Sequence, residues 1–421
     1  MDKIEIPYGE KQKQIEKPEN SRVLLPIDMP PLPNPRAEMA RKLKHPTGSP
    51  SLREICMGKE SIVIVINDIT RPSPTDLFVE EMLKEIEKAG ITDDQVTLVV
   101  ALGNHRPNTE EELKRMVGEK VYSRVKIINH DCYDEKNLVH LGFTKRGLPI
   151  IVNRYVAEAS VRILTGIITP HQSAGYSGGR KSIMPGVAGI EALTKHHSFP
   201  IRSYHPILGQ MIDNPFHDEA LEAAKRVGVD FILNVVKNSK KEIVSVVAGD
   251  LEQAHAEGVS ICDKSWKVKV DRYYDIVITS PGGYPKDFDL HQAQKALSAA
   301  EVVTKKGGVI ILVAECRDGV GKYAKWLVEA SDPQEVIDTF ERVGFTPDHS
   351  SKAFMLARAL KNHHVILVDP QIDPALVEDM FFIYASTLEE ALNKGYHIMG
   401  DAAETLFIPH AIDCIPEVNL Q

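Results

Sequence analysis

Short apolar runs alternate with amphipathic stretches along most of the chain. Ser61-Ile62-Val63-Ile64-Val65-Ile66, Val96–Ala101 and Val161–Ile168 are continuous rather than alternating. That is the pattern of strands buried on both faces of a parallel sheet. Similar runs recur later, at Asp275–Ser280, Gly308–Ala314 and His364–Val368. Helices are predicted between them. Ser73 reads as an N-cap with Pro74 in the first turn and Gly90 just past the end, and Thr109 with Glu112 forms a capping box. Further helices are predicted over 215–228, 251–265, 321–343 and 350–361, with one carrying His291, Gln292 and Lys295, and a hairpin over 137–153. Residues 1–15 alternate like an edge strand, 18–35 are proline-rich, and 266–273 read as a connector. The alternation of strand and helix predicts an α/β fold of two domains. A larger, doubly wound N-terminal domain is expected over 1–268 and a smaller α/β domain over 269–421, with the active site in the cleft between them.

Composition changes this picture little. A chain of 421 residues exceeds a typical single domain, and 43% hydrophobic with 26% charged residues is ordinary for a soluble protein. A net charge of −9 weighs against a nucleic-acid surface. No apolar run approaches the roughly 18 residues of a membrane span. The five cysteines are dispersed with no Cys-x-x-Cys, which suits reduced thiols. Met1–Pro7 is charged and lacks the apolar region of a signal peptide, so the expected address is cytoplasmic.

Candidate chemistry gathers where strands are predicted to end. Asp68 and Arg71 follow the first run, His105 the second and His171 the third, the positions at which doubly wound sheets bind ligands. After His171 comes a segment with three glycines in five residues, Gly175, Gly178 and Gly179, able to bring backbone N–H groups to an anion. It is not a Walker A loop, because Arg180 separates Gly179 from Lys181, and no Gly-x-Gly-x-x-Gly follows the strand.

The run Pro170-His171-x-x-Ala174-Gly175-Tyr176-Ser177-Gly178-Gly179-x-Lys181-x-x-x-Pro185-Gly186 resembles the signature of the nickel-dependent lactate racemase family. The resemblance implies a nickel pincer nucleotide, pyridinium-3-thioamide-5-thiocarboxylic acid mononucleotide, joined covalently to Lys181. It would be cradled by Ser177, Gly178 and Gly179 and delivered by cofactor-synthesis proteins. His197, sixteen residues beyond Lys181, resembles the protein ligand to nickel, with His196 as the fallback. By the same resemblance His105 and His171 are the paired acid–base catalysts. Arg71, Asp68, Gln292 and Lys295 bind substrate, with Arg71 and Lys295 on its carboxylate. The implied reaction is racemisation or epimerisation of a 2-hydroxy acid by reversible hydride transfer to the cofactor through a 2-keto acid. The pattern departs from the lactate-specific one at His291, where a tyrosine is expected, and at Phe354-Met355, where a tryptophan is expected. The substrate is therefore lactate or a larger or more polar 2-hydroxy acid. A competing reading is a non-catalytic phosphate- or nucleotide-binding protein that uses only the glycine-rich loop. A hydrolase built on His105 or His171 lacks a serine or cysteine nucleophile elbow.

Overall fold

The computed structural model describes residues 3–346, 348 and 350–419. The chain divides into two compact units, one comprising 28–196 and 209–264, the other 1–27, 197–208 and 265–421. A single cut at 268/269 was expected from the sequence; these units instead group 1–27 and 197–208 with the C-terminal residues. For the N-terminal piece the reason lies in strand pairing, since Ser21–Val23 adds in parallel to Thr405–Ile408.

In the first unit, β1 (Ile62–Asn67), β2 (Val96–Ala101), β3 (Lys126–Asn129), β4 (Val161–Ile168), β5 (Phe231–Lys237) and β6 (Ile243–Gly249) form one sheet. Its order is β6-β5-β4-β1-β2-β3, parallel except for the β5–β6 pair. The continuous apolar runs are explained by this arrangement. Ile62, Ile64, Ile66, Leu98 and Val100 pack on Phe78, Val79, Met82 and Ile86 of helix α1 (Thr75–Lys88). Each such side chain contributes about 1.5–3 kcal/mol on burial. The direction in which strands are added reverses at β1: β2 and β3 build outward on one side, β4 and β5 on the other. The carboxyl ends of β1 and β4 therefore flank the crevice of a doubly wound sheet. Ser73 does not cap α1. Pro74 occupies the cap position with no side-chain bond, and Ser73 Oγ is buried without a partner among the described residues. The Thr109–Glu112 box and the 138–153 hairpin form as expected.

The second unit carries β7 (Tyr274–Thr279), β8 (Thr304–Val313), β9 (His364–Val368), β10 (Ile383–Ala385) and β11 (Thr405–Ile408). They lie parallel in the order β10-β9-β8-β7-β11, extended by Ser21–Val23. The N-terminus is a hairpin, Lys3–Tyr8 with Lys11–Glu16, rather than one edge strand. Its Ile4, Ile6 and Tyr8 pack on Ile276 and Ile278. The expected connector contains a strand, Lys267–Val270, paired with Ile415–Val418. Among the described residues no helix is long and apolar enough to cross a membrane.

Candidate functional site

Three adjacent strands, β4, β1 and β2, present the candidate groups at their carboxyl ends. Past β1 the chain turns tightly, with the Arg71 N–H donating to Asp68 O at 3.1 Å. Asp68 is buried: its Oδ1 accepts the Thr70 N–H at 2.7 Å and the Thr70 hydroxyl, while Oδ2 lies 3.0 Å from His105 Nδ1. Burial pushes the Asp68 carboxyl up, but hydrogen bonds from His105 and Thr70 outweigh it and hold the group below its usual range. A carboxylate only accepts, so His105 Nδ1 carries the hydrogen, and in the neutral ring Nε2 keeps the lone pair. Arg71 is exposed at the rim.

His171, half-buried after β4, is held the other way round. Its Nδ1 accepts the N–H groups of Ser173 and Ala174, each at 3.1 Å. The neutral ring must then carry its proton on Nε2. The two histidines thus rest as opposite tautomers, one offering a lone pair and the other an N–H.

The glycine-rich segment is seated on its own sheet. Gly178 has φ +79°, and an added Cβ would come within 2.8 Å of Asn234 Oδ1 and 2.9 Å of an Ile168 side-chain carbon. A Cβ on Gly175 would lie 2.2 Å from Gln210 O. These glycines answer to the protein's own packing. The N–H groups are engaged as well: Tyr176 to Ala174 O, Ser177 to Thr169 O, Gly179 to Asn234 Oδ1 and Lys181 to Gly178 O. These four donors are turned into the fold, which counts against a loop that merely cradles phosphate. Arg180, which reads from the sequence as a spacer, is fully buried. Its guanidinium donates to the carbonyls of Ala174 and Tyr176, both at 2.8 Å, and to Gly178 O at 3.3 Å. Because Ala174 also donates to His171, Arg180 braces the turn that fixes that ring. Burial lowers the guanidinium to about 9, still cationic at neutral pH. Nearby, burial and Arg180 push His255 and His217 down to about 3, so both stay neutral. His255 Nε2 lies 2.9 Å from both Arg180 Nη1 and Ser177 O and serves one of them at a time.

Lys181 is half-exposed between buried Arg180 and Ser182, the accessible side chain of a short 3-10 turn, Gly179–Ser182. Its carbonyl accepts the Gly186 N–H at 3.1 Å, and Gly186 O accepts the Gly103 N–H at 2.8 Å. Those two bonds lay the Lys181 turn against the loop bearing His105.

Helix α2 (Ile190–His196) ends on the histidine pair. His196 is buried, its Nε2 2.9 Å from Phe216 O and its ring 3.8 Å from that of Phe216, tilted by 43°. The core occupies it. His197 begins the segment belonging to the second unit, is half-exposed, and lies 5.6 Å from the Phe345 ring. In the same unit, the expected helix of Gln292 and Lys295 is broken at Gln294 into α3 (Leu290–Ala293) and α4 (Lys295–Glu301). The two side chains still meet, Lys295 Nζ donating to Gln292 Oε1, and Asp289 caps α3 through the Gln292 N–H at 2.7 Å. Among the described residues no three His, Cys, Asp or Glu side chains converge as a metal cage. The Lys181 and His197 side chains are each half-exposed.

The lactate racemase N-terminal domain matches residues 8–207, and the lactate racemase C-terminal domain matches 269–415. A lactate racemase of Lactiplantibacillus plantarum is 37% identical over 382 residues, 89% of each chain. One of Thermoanaerobacterium thermosaccharolyticum is 35% identical over 425 residues, 99% of each chain. The structure of the lactate racemase apoprotein from the latter organism superposes with a TM-score of 0.89 at 34% identity, covering 99% of this chain and 100% of that one. A Thermotoga maritima protein shares the fold at 18% identity and a TM-score of 0.65, over 94% of this chain and 100% of its own.

Proposed function

Because the chain belongs to the lactate racemase family, we propose that it racemises or epimerises a 2-hydroxy acid, lactate or a larger or more polar one. The strand order β4-β1-β2 carries this reading. Arg71 follows the middle strand, His171 and His105 the strands on either side, and the outer two strands of such a trio are about 10 Å apart. A small acid gripped above β1 would have an imidazole to each side, which a racemase needs and a phosphate holder does not.

In this mechanism the planar fork of Arg71 holds the substrate carboxylate, supported by Gln292 and Lys295. Asp68 keeps the His105 hydrogen on Nδ1, so that Nε2 takes the proton of the substrate hydroxyl. His171, through its Nε2–H, bonds the substrate oxygen in its resting tautomer. To act as the base for the opposite enantiomer it must move that hydrogen to Nδ1 and give up two backbone bonds, at about 0.5–1.5 kcal/mol each. That cost is small enough to be met during turnover. Lys181 would tether a nickel pincer nucleotide, with Ser177, Gly178 and Gly179 shaping the turn beneath it and His197 ligating the metal. When bound, the group supplies an acceptor for hydride from the substrate carbon and so avoids a carbanion.

The test is co-expression with cofactor-synthesis proteins, then intact-mass measurement, nickel quantification and chiral analysis of 2-hydroxy acids. A mass adduct, about one nickel per chain and interconversion of enantiomers are expected. Lys181→Ala should lose adduct and turnover while keeping its melting temperature. Full turnover by that variant, or no interconversion by adduct-bearing wild type, would overturn the proposal.

A further inference from the structure

The two N–H groups that fix the His171 tautomer come from Ser173 and Ala174. A trans peptide is planar, with its C=O and N–H on opposite sides, so the Ser173 carbonyl and the Ala174 N–H turn together. That carbonyl is gripped by Asn214, whose Nδ2 donates to Ser173 O at 3.0 Å. Holding the oxygen on one side aims the hydrogen at His171 Nδ1 on the other. Arg180 fixes the next peptide plane through Ala174 O. Asn214 is itself fully buried. Its Nδ2 also donates to Gln210 O at 2.9 Å, and its Oδ1 accepts the His217 N–H at 3.2 Å, at the start of the helix Pro215–Val227. All these residues lie in the first unit.

Capping alone does not account for this asparagine. A cap uses only the oxygen, which serine or aspartate supplies as well. The amide adds the donors that bind Ser173 O and Gln210 O. Two residues on, Phe216 lays its ring 6.4 Å from that of His171, inclined by 24°. The start of one helix thus supports the imidazole twice, its plane through Phe216 and its hydrogen through Asn214. Resting on the reading of His171 as an acid–base catalyst, we propose that Asn214 is a positioning residue for it, acting through the Ser173–Ala174 peptide.

The test is Asn214→Ser, which keeps a capping oxygen and removes the amide donors. Asn214→Asp, a second cap without donors, covers a failure of the serine variant to fold. Nitrogen NMR of ring-labelled histidine in the purified chain at about pH 8, where the ring is neutral, reads the tautomer directly. The His171 signals are identified by their loss in His171→Gln. Wild type should show the Nε2–H form alone. In the Asn214 variants the ratio of Nε2–H to Nδ1–H should fall about fivefold or more, the value of two backbone bonds. With cofactor-loaded enzyme, kcat should fall about ten- to a hundredfold while adduct mass and nickel content stay unchanged. Asn153→Ser controls for mere destabilisation. Asn153 is likewise a buried cap, of the helix Arg154–Glu158, with Nδ2 3.3 Å from His130 Nδ1. That variant should lower the melting temperature and leave the His171 signals in place. Both tautomers in wild type, or an unchanged ratio in the Asn214 variants, would overturn the proposal. A shifted ratio with kcat within about threefold of wild type would instead refute the acid–base role of His171. If wild type interconverted no acid, the racemase reading would fail, and the spectra would still decide whether Asn214 holds the ring.

Discussion

Replacing Asp68 by asparagine tests the tautomer argument at the site with almost no change of shape. Oδ1 of Asp68 accepts two donors from Thr70, so in Asp68→Asn the amide oxygen is compelled into that position. The amide nitrogen then faces His105 Nδ1, where the carboxylate oxygen lay 3.0 Å away. An amide N–H needs a lone pair opposite it, so the imidazole hydrogen moves to Nε2. His105 becomes a donor where the proposed mechanism requires a base. Turning the amide round instead would make the Thr70 hydroxyl accept in place of donating and set an amide N–H against the Thr70 backbone N–H, which forfeits that bond at a cost of about 1–3 kcal/mol. Loss of the same kind of tautomer control in serine proteases costs about 10⁴ in kcat. The His105 side chain is 42% exposed, so water can assist the exchange of its proton. A loss of about 10²–10⁴ in turnover is therefore expected, with adduct mass and nickel content unchanged. The assay is chiral chromatography of each enantiomer, with kcat and KM in both directions. Since enantiomers are equally stable, kcat/KM must fall equally both ways, which provides an internal check. Activity within about threefold of wild type, with the adduct intact, would refute the reasoning. So would an active Asp68→Asn beside an inactive His105→Ala, because His105 would then be working without its carboxylate.

Two further outcomes probe the foundation of the loop. His217 and His255 are depressed to about 3 in the folded chain, so the unfolded chain takes up protons first and stability falls as pH drops below about 6.5, until the folded values are reached. At pH 5.5 each contributes about 1.4 kcal/mol, and wild type should lose about 3 kcal/mol more in urea titrations than His217→Gln/His255→Gln does on going from pH 7.5; equal losses would dismiss both histidines. Gly178→Ala forces a side chain into φ +79° against Asn234 and Ile168, and a drop of about 2–5 kcal/mol in urea unfolding is expected; a loss below about 0.5 kcal/mol would show that the turn adapts.

The fold was legible where a signal is local. Continuous β-branched runs such as Ile62–Ile66 admit few settings other than a strand covered on both faces, and Thr109 with Glu112 satisfies its own helix end whatever surrounds it. Failures came where a distant partner decides. Lys267–Val270 looks like a linker because its pairing strand, Ile415–Val418, lies far along the chain. Ser73 is a fitting cap by type, but Pro74 takes the cap position and starts the helix at Thr75.

At the candidate site the sequence named the residue types and withheld their states. Two histidines after two strands look interchangeable on paper. What separates them is one buried carboxylate from the end of β1 on the first and two backbone N–H groups on the second. Asn234 left a clue, a polar side chain inside the apolar run of β5, where only a bond such as the one it accepts from Gly179 makes its burial tolerable. Arg180 left none, since a residue between Gly179 and Lys181 reads as filler until three carbonyls are seen to converge on it. The glycines also answer to neighbours within the chain: the missing side chains of Gly175 and Gly178 make room for Gln210 and Asn234. The segment is thus a rigid bracket whose interior is consumed by Arg180 and whose outward side chain is Lys181. The covalent tether proposed above would need that division, because the anchoring amine must stay reachable while the backbone beneath it is held by bonds the cofactor does not have to supply.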